Sequence, residues 1–166
     1  MERYMTPYDW AAILDPKSIG QLLGVAIRVV RRTKMTLRKK KMELPVGALS
    51  TGGAGSYAKN VTRLRYVVAH LREAGLIVFD SSIFDESLRD LARQKADTTE
   101  GQSLYVMHNF YVPLIKSGQI DSLVCLPDVG GSIGAQIARD VALSLAPPLP
   151  IRELKEDFFP KRPEEQ

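Results

Sequence analysis

The stretch PDVGGSIGAQIARDVA, residues 127–142, follows a strongly apolar run and has the composition of a turn that feeds a helix. Ser132 is a natural N-cap, because its hydroxyl can accept from an amide of the first turn. The free amides of Ile133, Gly134 and Ala135 would then sit at the positive end of that helix, where an anion is stabilised by typically ~0.3–1 kcal/mol at exposed sites. The same residues also suit plain capping with close packing, since Gly134, Ala135, Ala138 and Ala142 form a stripe of small side chains. One turn beyond Gly134, where an acid would signal chemistry, stands Ala138. A second glycine-rich turn, STGGAG, offers the hydroxyls of Ser50 and Thr51 and amides left accessible by Gly52 and Gly53. It is neither the dinucleotide-binding G-x-G-x-x-G pattern nor a P-loop, which ends in GK followed by Ser or Thr. A phosphate nest and a solvent loop both fit this composition.

Other chemistries find less support. The single cysteine, Cys125, lies in the apolar run SLVCL and reads as a small buried hydrophobe. His70 and His108 are far apart and have no cysteine cluster near them, so no metal is expected, and nothing calls for a cofactor. The net charge of +4 is unevenly placed, with eight Lys or Arg and no acid in residues 28–41. That run could track phosphates, but no aromatic is interleaved to stack on bases, so a solvated helix face followed by a basic linker is favoured over a nucleic-acid partner. The apolar stretch IGQLLGVAIRVV contains Gln21 and Arg28 and is too short and polar to span a bilayer, and no signal-peptide cleavage pattern is seen. A cytoplasmic protein with no membrane partner is expected.

The elements that must position these residues follow from periodicity. With 166 residues, 45% hydrophobic and 25% charged, one globular domain is the default. Asp15–Pro16 predicts a helix start, and Ile19, Leu22, Leu23, Ala26, Ile27 and Val30 form an apolar stripe seeking a partner, either in its own domain or in a second subunit. Residues 1–41 therefore read as a helical appendage with a basic segment, 42–154 as the main domain, and 155–166 as a loose charged tail. ELPVGAL predicts a strand that starts after Pro45 or at a margin. GLIVFD and IDSLVCLP predict buried strands, and IREL a short one. Helices are expected from Asn60 to Gly75, over SSIFDESLRDLARQ, over LYVMHNFYVPLIKSG with a break at Pro113, and over IGAQIARDVALSL. Alternating strands and helices specify an α/β fold: a small doubly wound, mostly parallel sheet with helices on both faces. Ligands of such folds bind beyond the carboxyl ends of the strands, which predicts that STGGAG and PDVGGSIGA share one edge.

The combination of LSTGG after a strand, N-V opening a helix, GLIVFD, HNFYVPLIKSGQIDSLVCLP and especially S-I-G-A resembles the nucleoside 2-deoxyribosyltransferase-like superfamily. Within it the chain is most similar to nucleotide N-glycosidases of the 2'-deoxynucleoside 5'-phosphate N-hydrolase type, over roughly residues 46–152. The resemblance implies a flavodoxin-like sheet, a nucleoside 5'-monophosphate ligand, cleavage of the bond from base to sugar, and a homo-oligomer. It gives Ser132 the role of a 5'-phosphate contact and puts a catalytic glutamate six residues later, where this chain has Ala138. A carboxylate there stabilises or captures the oxocarbenium ion formed as the base departs, and a methyl group does neither. Asp128 and Asp80 are the acids placed to substitute, each also readable as a solvated loop residue. His108 and Asn109 fall where relatives carry a polar group for the sugar or base. The expectation is an N-glycosidase-type scaffold with little or no hydrolysis as it stands, or alternatively a nucleotide-binding sensor.

Overall fold

Strand β1 (Met42–Val46) pairs in parallel with β2 (Ile77–Val78) on one side and β3 (Ser122–Cys125) on the other, and β4 (Ile151–Glu153) extends the sheet beyond β3. The resulting order, β2-β1-β3-β4, is all parallel and is the flavodoxin-like doubly wound arrangement. The computed structural model describes residues 2–38, 41–48, 56–127, 129–155 and 158–159.

Successive residues of a strand point to opposite faces, and each face of this sheet is covered. Met42, Leu44, Val46, Leu123 and Cys125 enter the larger core, while Val78, Val124 and Leu126 enter a smaller one. Helix α3 (Tyr57–Glu73) closes the smaller core with Val67, Val68 and Leu71. The larger core is covered by α1 (Pro7–Leu14), α2 (Ile19–Thr36), α4 (Asp85–Arg93), α6 (Val112–Lys116) and α7 (Ile133–Ser144). Helix α5 (Thr99–Val106) continues into α6 through a π-helical stretch, Met107–Tyr111. That wider turn precedes Pro113, whose ring would otherwise press on the carbonyl four residues back.

Several expectations are corrected. Pro45 lies inside a central strand, not before it. Glu43 O accepts from Phe79 N on the β2 side, whereas Met42 O and Val46 O accept from Asp121 N and Leu126 N on the β3 side. By this alternation Pro45 faces β2, which pairs only with Met42 and Glu43, so its missing N–H costs no ladder bond. Helix α2 starts at Ile19, not Pro16: Ser18 Oγ accepts from Gln21 N at 3.2 Å, while Asp15 caps the end of α1. Phe158 and Phe159, in the segment expected to be loose, pack on α3 against Tyr66, with ring centroids 6.2 and 5.9 Å away.

Helices α1 and α2, in the segment expected to be an appendage, share the core of the main domain. Leu22, Val25, Ala26, Val29 and Val30 are wholly buried in the cluster that holds Leu44, Phe110 and Leu123. The stripe on α2 is thus covered within the chain, and the reason it gave for a second subunit falls away. Part of the basic run holds α2 to the main domain and to α1. Lys34 Nζ reaches Asp121 at 2.6 Å, and Arg32 and Arg28 meet Asp9 at 2.9 and 3.4 Å. No helix among the described residues is long and apolar enough to cross a membrane.

Asp9 is 1% exposed. Burial pushes its carboxyl up, but hydrogen bonds from the Thr6 amide, the Arg32 guanidinium and the Thr6 hydroxyl outweigh that effect and hold it at about 2, against an ordinary 3.8. A depressed carboxyl stabilises the fold fully above its ordinary value, and the contribution is lost as the pH falls through the folded value. Urea unfolding should therefore show about 2 kcal/mol of stability lost between about pH 4 and pH 2. Asp9→Ala should flatten this dependence; an unchanged slope would separate the latch from stability.

Candidate functional site

The parallel register sets Val46 opposite Cys125, so β1 and β3 end side by side. Leu126 N donates to Val46 O at 2.8 Å, and the chains approach closely enough that a Cβ on Gly47 would lie 2.9 Å from Leu126 Cδ2. Beyond this edge opens a cavity of about 360 Å³, at the point where the strand order reverses direction. Pro45, Val46 and Gly47 from β1 line one wall, and Ser132, Ala135 and Ala138 from α7 line another.

Ser132 is 5% exposed and caps α7, its Oγ accepting from Ala135 N at a long 3.4 Å. Ile133 and Gly134 line the cavity beside it, with Ile133 at the exposed rim. The small-residue stripe also has a packing role. A Cβ on Gly134 would meet Met107 Cγ at 3.1 Å, so α7 lies tight against the π-helical stretch. Ala138 is 2% exposed and contributes to the cavity wall four residues after Gly134, on the same helix face.

Other expected site residues stand elsewhere. Asp80 caps the turn after β2, accepting from Ser82 N at 3.2 Å and Ser82 Oγ at 2.7 Å, and pairs with Arg72 at 3.2 Å. It lines a separate shallow groove with Trp10 and Arg65 rather than the cavity. His108 and Asn109 are exposed on the π-helical stretch, and Asn109 Nδ2 donates to Tyr105 O at 2.8 Å. Neither lines the cavity. Ser50, Thr51, Gly52, Gly53 and Asp128 lie outside the described residues, although Gly47 and Tyr57, on either side of the first loop, both line the cavity.

The polar groups that sequence reasoning missed come from α4, α5 and the π-helical stretch. Phe79, Phe84 and Phe110 are wholly buried, with Phe84 centroids 5.8 Å from Phe79 and 5.5 Å from Phe110. This cluster fixes the residues that follow two of its rings, Asp85 and Tyr111, and both line the cavity. Asp85 makes no hydrogen bond or ion pair among the described residues, and burial pushes its carboxyl up to about 6. Arg89 pulls it down and Glu86 pushes it further up. The Tyr111 phenol is pushed up chiefly by burial, with Asp85 and Asp80 adding to the effect and Ser81 opposing it. The Arg89 guanidinium stacks over the Tyr57 ring, 3.8 Å from its centroid, and joins α4 to the start of α3 along the cavity. Burial also raises the Cys125 thiol, which suits a core residue and not a nucleophile.

The fold and this cavity define a doubly wound α/β scaffold with a ligand-sized pocket at its topological switch point. No family model, curated protein or solved structure matches the chain.

An acid whose folded value lies above its unfolded one destabilises the protein as pH rises through that interval, the reverse of the Asp9 case. Asp85→Asn should therefore raise the thermal unfolding midpoint of the free protein at neutral pH and leave it nearly unchanged below about pH 4. A lower midpoint at neutral pH would assign Asp85 a stabilising role instead.

Proposed function

We propose that the protein is an N-glycosidase-type scaffold that binds a nucleoside 5'-monophosphate in this cavity and, with Ala138 in place of a carboxylate, releases little or no base. The observation that carries this reading is the position of residue 138. It shares a wall of the cavity with Ser132 at the N-terminal end of α7, so a phosphate end and a sugar end are separated by about 9 Å along one helix, six residues at 1.5 Å each.

The chemistry follows from that wall. The opening turn of α7 carries amides and a hydroxyl suited to a phosphate, and its dipole favours negative charge there. Gly134 and Ala135 let a ligand approach the backbone. Further along, departure of a base would leave positive charge at the anomeric carbon, and the Ala138 methyl can neither stabilise nor capture it. The cavity supplies binding and orientation, and position 138 lacks the carboxylate of the resembled family. A sensor or regulatory protein that only holds a nucleotide is the second reading, favoured by the same absence of a carboxylate at 138.

Ala138→Glu separates the two. The cavity leaves room for the longer side chain, and the carboxylate would stand where positive charge develops. Chromatography across ribo- and deoxyribonucleoside 5'-monophosphates should detect free base with the variant and essentially none with Ala138 in place. A folded variant that binds nucleotides but releases no base from any of them would remove the glycosidase reading and leave the sensor.

A further inference from the structure

Two parts of the cavity wall carry its polar groups: the first turn of α7, and α4, where Asp85 stands with Arg89 and Arg93. At one, the α7 turn beginning at Ser132 presents donors and the positive end of a helix. At the other, Asp85 presents a carboxyl with no hydrogen bond or ion pair among the described residues. A half-buried carboxyl left unpaired is costly, and it is held there by the Phe79–Phe84–Phe110 cluster, not by a polar partner. The elements carrying the two parts, α4 after β2 and α7 after β3, flank β1. Both groups line the one cavity of about 360 Å³.

Resting on the nucleotide reading above, we propose that Asp85 selects the base, and that the ligand is a 5'-monophosphate whose base carries an exocyclic amino group. A carboxylate oxygen accepts from the amino group of cytosine, adenine or guanine. Uracil and thymine have no amino group, and the ring N–H each offers lies between two carbonyl oxygens that repel a carboxylate. Arg89 stands as the counter-charge on the same helix, stacked on Tyr57, and keeps the acid's charge tolerable while the ligand is absent. Tyr111 and Ser81 line the same cavity.

The test is calorimetric titration of the full chain at about pH 8, where Asp85 is ionised, with the 5'-monophosphates of cytidine, adenosine, guanosine, uridine and thymidine. The amino-bearing three should bind about tenfold or more tightly than the other two, the effect of one hydrogen bond to a charged acceptor. Asp85→Asn should shrink the cytidine-over-uridine preference to less than about threefold, because the amide offers a donor as well as an acceptor. Binding of all five with similar affinity, or preference for uridine, would overturn base selection by Asp85 while leaving the nucleotide reading in place. Binding of none would overturn the nucleotide reading and this proposal with it. The comparison among ligands is made on the unaltered chain, so it stands even if the variant folds poorly.

Discussion

The parallel pairing of β1 with β3 is the constraint from which the cavity follows. Four consecutive pairs, Glu43–Ser122 to Val46–Cys125, bring two strand ends level, and both chains then have to turn away from the same edge. The close approach of Gly47 to Leu126 leaves no room for a side chain on that side of the turn. Shifting the register would carry Ser132 and Ala138 away from Val46, and the wall would be lost even if every helix stayed intact.

Two sets of packing contacts support that edge. Helix α2 fills the larger core with Leu22, Val25, Ala26, Val29 and Val30, and its Lys34 grips Asp121 just before β3. Asp121 Oδ2 also accepts from Met42 N at 2.7 Å, so one carboxylate ties α2 and the starts of β1 and β3 together. At the other end, the three phenylalanines lock the turn after β2 against the π-helical stretch and so place Asp85 and Tyr111. Affinity in this scaffold would draw on a site held by core contacts before any ligand arrives, which lowers the ordering cost of binding.

The sheet and most helices were legible because their patterns are clean: Val61 to Leu71 for α3, SLVCL for β3, and the small residues Ala135, Ala138 and Ala142 for α7. The Ser132–Ala138 wall was legible for the same reason, since an N-cap and a small-residue stripe fix which face of α7 meets the sheet edge. Pro45 misled because the local rule says that proline avoids central strands, and only the early end of β2 makes it harmless. The partner of the α2 stripe depends on contacts distant in sequence, which periodicity does not encode. Asp85 was missed because an acid opening a helix is ordinary; its burial, the lack of a hydrogen bond or ion pair among the described residues and its place in the cavity are all tertiary facts. Asp80 and His108 looked better placed in sequence, yet one is spent on a turn and an arginine and the other faces outward.

The central claim is that a nucleoside 5'-monophosphate occupies the cavity with its phosphate against the first turn of α7. Amide NMR spectra of the full chain, titrated with a monophosphate and with its unphosphorylated nucleoside, test this most directly. With the phosphate at that turn, the monophosphate shifts the Ile133, Gly134 and Ala135 amides strongly and the nucleoside shifts them little. Monophosphate-induced shifts confined to the groove around Trp10, Arg65 and Asp80, with the α7 amides unmoved, would contradict it.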